Sequence, residues 1–119
     1  MTYRVSIERC GSYDPDTVRQ AVAASLARLG GTGRFISQGQ RVLVKPNLLS
    51  SRPPEAAVTT HPAVVQAVVE EVQRAGAEAV IGDSPGGRNA GQSYERLLRR
   101  TGIMGVVEAT GCGWVSLDN

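Results

Sequence analysis

Lys45 and Asn47 flank Pro46 at the end of the apolar run Val42-Leu43-Val44, and a lysine delivered there would neutralise a phosphate or a carboxylate. Further along, Asp83-Ser84 precede Gly86-Gly87, where Ser84 and the glycine backbone would complete an anion cradle. Thr59, Thr60 and His61 open a helical pattern, and Asp118-Asn119 follow the last strand-like run. His61 is the single histidine; with Asp83 it would hold a metal or move a proton, because histidine titrates near neutrality. Asp83, Asp118 and Asn47 would hold Mg²⁺ through oxygen ligands. Each feature also has a plainer reading: a solvated lysine, a glycine turn, a histidine that finishes a helix start, and aspartates in ordinary turn chemistry. Neither Gly-x-x-x-x-Gly-Lys-Ser/Thr nor Gly-x-Gly-x-x-Gly occurs, so both nucleotide fingerprints are missing.

Positioning these groups requires a parallel sheet. Val42 to Val44 reads as a strand buried on both faces, and Pro46, which cannot donate to a ladder, takes the chain out of the sheet. Tyr3 to Glu8 alternates apolar and polar residues and predicts a first strand, half exposed. Asp14-Pro15 starts a helix whose stripe of Val18, Val22, Leu26 and Leu29 runs to Gly30-Gly31. Leu48 to Ala57, with Pro53-Pro54, reads as a polar loop of active-site type. Thr60 is the expected N-cap of a valine-striped second helix ending at Ala75-Gly76. Ala79 to Asp83 then forms a strand parallel to the one before it, as a right-handed β-α-β unit requires. Asn89 to Arg100 predicts a basic amphipathic helix, Ile103 to Thr110 a short helical piece, and Trp114 to Leu117 a fourth strand. In such sheets ligands bind outside the carboxyl ends of the strands, so Lys45, Asn47, Thr60, His61, Asp83, Ser84 and Asp118 are expected along one edge.

Composition narrows the partners. With 119 residues, 41% hydrophobic and 20% charged, the chain fits one globular α/β domain with a single core. A net charge of +2 with scattered arginines gives no footprint for nucleic acid or an anionic membrane. Cys10 and Cys112 are too few and too far apart to staple a fold or ligate an iron–sulfur cluster, so both are read as reduced thiols. With no signal-peptide pattern and no membrane-spanning run, a cytoplasmic location is the expectation.

The blocks Val42-Leu43-Val44-Lys45-Pro46-Asn47-Leu48, Val58-Thr59-Thr60-His61-Pro62, Ala75-Gly76-Ala77-Glu78 and Ile81-Gly82-Asp83-Ser84, in this order and spacing, resemble the family known as domain of unknown function 362. The resemblance places that family's recurrent positions on Lys45, Pro46 and Asn47, on Thr60 and Pro62 with His61 between them, and on Gly82 and Asp83. It implies an iron–sulfur-associated setting, since many members carry a ferredoxin-like module elsewhere in the chain. It also implies a distant likeness to the N-terminal part of the lactate racemases, which act on small hydroxy acids with a nickel-containing cofactor. No ferredoxin cysteine run is found here, so no cluster is assigned to this chain alone. Because family domains continue past this length, residues 1–119 are expected to be the N-terminal part of a longer domain.

Two readings follow. One is an enzyme half-domain in which Lys45 orients a small anionic ligand while Asp83 or His61 moves a proton or Asp83 and Asp118 hold a divalent metal. The other is a non-catalytic module that meets a redox partner or another protein, with an apolar patch where a remainder would pack. A nucleic-acid module using Arg96, Arg99 and Arg100 is disfavoured by the near-neutral charge and the five aromatic residues. The fold expected under either reading is a three-layer α/β/α domain around a mainly parallel four-stranded sheet.

Overall fold

The structure, a computed structural model, describes residues 2–48, 51–84 and 93–117. Three strands, Arg41–Val44 (β1), Glu78–Asp83 (β2) and Gly113–Ser116 (β3), lie in the order β1-β2-β3, all parallel. Val44 stands opposite Ile81, and Ile81 opposite Trp114, so the sheet is in register from edge to edge. The described helices are Pro15–Ala27 (α1), Pro62–Arg74 (α2), Tyr94–Arg100 (α3) and Ile103–Thr110 (α4).

Local chemistry sets the helix ends. Asp14 caps α1 by accepting from the Thr17 N–H at 3.1 Å, and Pro15 occupies the first turn. α2 begins with Pro62, but its cap is His61 rather than Thr60: His61 Nδ1 accepts from the Ala63 N–H at 3.0 Å. Val65, Val69 and Val72 of α2 are buried, while Val64 and Val68 border the crevice against α1. Burying a valine is worth roughly 1.5–3 kcal/mol, which exceeds a helix-propensity cost of at most about 0.7 kcal/mol. α4 starts at Gly102, where φ is +82° and an added Cβ would stand 2.8 Å from Pro62 Cγ, so only glycine fits.

Val42 and Val44 of β1 and Ala79 and Ile81 of β2 meet α2 in one core, which continues to Leu97 and Leu98 of α3 and Ile103 of α4. α1 lies outside this core against α2, tied by Arg19, which donates Nε to Glu70 Oε2 at 2.7 Å and Nη2 to Glu70 Oε1 at 3.2 Å.

Four expectations are corrected. Tyr3–Glu8 is not a strand, and the described sheet has three strands instead of four. The segment runs beside α1, held by a Ser25–Ser6 hydrogen bond and an Arg28–Glu8 ion pair. Its polar side is therefore the one that is used, and Tyr3, Val5 and Ile7 remain 81–86% exposed. β1 is an edge strand, so Leu43 is exposed rather than buried on both faces. Leu48 is a fully buried core residue, not part of a polar loop, and Pro54–Ala56 in that loop forms a 3₁₀ turn. Finally, the described helices cover one face of the sheet, giving two layers where three were expected.

Candidate functional site at the strand ends

The chain leaves β1 at Val44 and crosses over the end of β2 through Lys45, buried Pro46, Asn47 and Leu48. The crossing is fixed by backbone groups. The Asn47 N–H donates to Thr60 Oγ1 at 2.9 Å and the Thr60 N–H donates to the Asn47 carbonyl at 3.0 Å, which seats the start of α2 against the end of β1. Next to this junction the Leu48 N–H donates to Asp83 Oδ2 at 3.1 Å, and Lys45 Nζ meets Asp83 Oδ1 at 2.9 Å.

Asp83 is the most constrained residue of the site. Its N–H donates to the Tyr94 hydroxyl at 3.0 Å and its carbonyl accepts from the Leu117 N–H at 3.1 Å. Its side chain, 7% exposed, accepts from Lys45, the Leu48 N–H and the Ser84 N–H. Burial alone would raise the pKa of this carboxyl, but the bonds from Lys45, Leu48 and Ser84 outweigh it and hold the group below the ordinary aspartate range. An ionised carboxylate that already receives three donors is an anchor and has no proton to give at neutral pH.

Lys45 is the outward half of this pair, with 61% of its side chain exposed. An ammonium has three N–H donors, and one is directed at Asp83. The Lys45 head is thus held at the carboxyl edge of a parallel sheet, where it can meet an anion from solvent. Its partner orients the head and lowers the entropy that a free lysine would lose on binding.

His61 is engaged elsewhere. Besides capping α2 it stacks on Tyr13, with ring centroids 3.8 Å apart and planes 3° from parallel. It does not appear among the groups that contact Asp83, so the structure does not join these two residues into a proton relay. Lys45, Asn47, Thr60, Asp83 and Ser84 are brought to one edge. Gly86, Gly87, Asp118 and Asn119 lie outside the described residues. Among the described residues, no group of three or more His, Cys, Asp or Glu side chains could hold a metal ion.

Two participants, Tyr94 and Tyr13, were not among the expected site residues. Tyr94 opens α3 and anchors the Asp83 backbone, and its ring lies 5.6 Å from that of Trp114. Its position at the first turn after the β2 loop was the available signal. Tyr13 stacks on His61 across the α1–α2 interface, and sequence separation hides that contact. Thr59, nine-tenths buried, keeps a hydroxyl with no hydrogen-bond partner among the described residues.

A family model described as Domain of unknown function (DUF362) matches residues 42–119, the stretch that runs from β1 through β3. The thylakoid-associated protein sll1697 of Synechocystis is 42% identical over 85 residues, which are 71% of this chain and 26% of that protein. The chain therefore spans about a quarter of that relative's length. No solved structure matches. No described helix is long and apolar enough to cross a membrane.

Proposed function

The chain belongs to the family described as Domain of unknown function (DUF362), and on that premise we propose that the ends of β1 and β2 bind a small anionic ligand through Lys45. One observation carries the reading: an exposed ammonium is pinned at 2.9 Å by a buried carboxylate at the carboxyl edge of a parallel sheet. Asp83 acts as the positioning residue, and the Asn47–Thr60 junction sets the floor against which a ligand would rest. Phosphate, or a small carboxylic acid, matches a single fixed cation better than a multiply charged nucleotide does. A divalent metal is the weaker candidate, because Asp83 is already engaged by three donors. Ligand binding alone is proposed here; the described residues supply no proton relay to accompany it.

The test is a titration of the chain with phosphate, small carboxylic acids, nucleotides and divalent metals, read by thermal shift and by the fluorescence of Trp114, the single tryptophan. Tyr94 touches Trp114 and bonds Asp83, so a ligand on Lys45 should reach the indole. Saturable stabilisation by one anion class, lost in Lys45→Ala, is the expected result. Binding retained in Lys45→Ala, or a response to metals alone, would refute it.

A further inference from the structure

The face of the sheet turned away from the helices is apolar; Val80 at its centre is buried, while the residues around it are open. Alternation and register place Leu43, Val80, Gly82, Gly113 and Val115 on it, with Leu117 just beyond β3. Leu43, Val115 and Leu117 remain 48, 40 and 38% exposed, and none of them joins the core cluster. Parallel sheets are buried on both faces, because their crossovers lay helices on both. Handedness explains why that has not happened here. Both connections step the same way, from β1 to β2 and from β2 to β3, and right-handed crossovers that step one way put their helices on one face. Consistently, α2 and α4 pack against each other. A helix reaches the opposite face only through a connection that steps back toward the free edge of β1, and no described segment makes that step.

We propose that this face, open at Leu43, Val115 and Leu117, seats an amphipathic helix from further polypeptide of the same protein, one that follows β3 and leads back to a strand on the free edge of β1. The occupant's source is argued from length: the matched stretch is 26% of the Synechocystis relative, so the family domain occurs in a polypeptide with ample residues for a helix and a strand. The face sets the chemistry of its occupant. Gly82 and Gly113 have no side chains, and Leu43 and Val115 approach to 3.0 Å of where a Gly82 Cβ would stand, so the middle is low and apolar. Arg41 and Glu78 pair at the starts of their strands and leave that end charge-balanced. A helix with an apolar stripe at i, i+3, i+4 and i+7 suits such a surface. A returning strand beside β1 would make the end of β1 the place where strand order reverses, which is where open α/β sheets bind ligands. Lys45 stands there. This last step alone rests on the ligand reading; the helix seat does not depend on it.

The test compares the 119-residue chain with a single-chain chimera in which it replaces the matched stretch of the Synechocystis relative. Hydroxyl-radical footprinting should label Leu43, Val115 and Leu117 at least fivefold less in the chimera. Leu43→Asp and Val115→Asp should shift Tm by less than about 2 °C in the chain alone and lower it by more than 5 °C in the chimera. Equal labelling, or equal shifts in the two settings, overturns the proposal. So does a dimer of the isolated chain, seen by light scattering, that Leu43→Asp dissolves, since the occupant would then be a second copy. If the chimera does not fold, the relative's remainder is added to the chain as a separate polypeptide. Failure to protect Leu43 and Val115 there counts against the seat in the same way. Loss of the seat with anion binding intact would leave the Lys45 reading standing, and the converse result would leave the seat.

Discussion

Asp83→Asn removes a charge while keeping shape, and the strand-end geometry makes its cost calculable. The carboxylate accepts from Lys45 at 2.9 Å, from the Leu48 N–H at 3.1 Å and from the Ser84 N–H. An amide has one acceptor oxygen and two N–H donors, so either orientation sets donor against donor. With the oxygen kept toward Leu48, Lys45 loses its partner; with its side chain 61% exposed, that loss alone is about 0–1 kcal/mol. The larger share is a buried amide N–H without an acceptor, about 1–3 kcal/mol, together with the loss of charge from the bond to Leu48, about 1 kcal/mol. Together these give roughly 2–5 kcal/mol, or a fall in Tm of about 8–20 °C for a domain of this size. Urea unfolding at neutral pH, followed by Trp114 fluorescence, measures it directly. Lys45→Ala should cost less than about 1 kcal/mol in the same assay. Equal costs for the two variants, or a cost below about 1 kcal/mol for Asp83→Asn, would refute the view that the carboxylate is the structural anchor. The pH dependence has a fixed sign. The folded-state pKa lies below the ordinary value of about 3.9, so the stabilisation is complete above that value and is lost as pH falls through the folded-state pKa. The gap between wild type and Asp83→Asn should close in that acidic window and stay constant near neutrality.

Gly82→Ala should destabilise by roughly 1–3 kcal/mol, read as a lower urea midpoint at unchanged slope. Its Cβ would stand 3.0 Å from the Val115 carbonyl oxygen, which cannot swing aside as the Leu43 and Val115 side chains can. Thr59→Val should leave stability unchanged or raise it by up to about 1–2 kcal/mol, because the variant removes a buried hydroxyl with no partner among the described residues. A loss above about 1 kcal/mol would show that the hydroxyl is satisfied. His61→Ala should cost about 1 kcal/mol and speed amide exchange in the first turn of α2, while His61→Asn keeps most of the cap. Equal loss in both variants would shift the weight from the cap to the Tyr13 stack.

The gathering of Lys45, Asn47 and Asp83 at one edge of the sheet was legible because three residue signals agreed. Pro46 ends β1, Asp83 ends β2, and a helix pattern between them, followed by only a short connection to β2, makes the strands parallel. Caps and turns of local origin were equally readable: Asp14-Pro15 fixes the start of α1, and Ile103 to Thr110 emerges as α4. What failed was nonlocal. Alternation in Tyr3–Glu8 marks a strand only if a partner strand is available, and here Ser6 and Glu8 bind α1 instead. Three apolar residues in β1 suggest burial on both faces, but an edge position and an uncovered face leave Leu43 exposed. The cap of α2 moved from Thr60 to His61 because Thr60 bonds Asn47, a contact between loops that no single stretch of sequence displays.

The all-parallel register has a consequence for how the molecule comes to be folded. Arg41 pairs with Glu78 and Val80 with Gly113, so no sheet pairing lies within a hairpin, and each waits for an intervening helix and two loops to close. Helices relax in about a microsecond or less, whereas nonlocal strand pairing carries the loop-closure entropy and comes late. Refolding should therefore show helical circular dichroism rising ahead of the Trp114 signal from β3, and simultaneous growth of both in stopped flow would contradict this order. While β3 is undocked, Ile81 and the edge of β2 stand open, which makes this interval the one most exposed to aggregation.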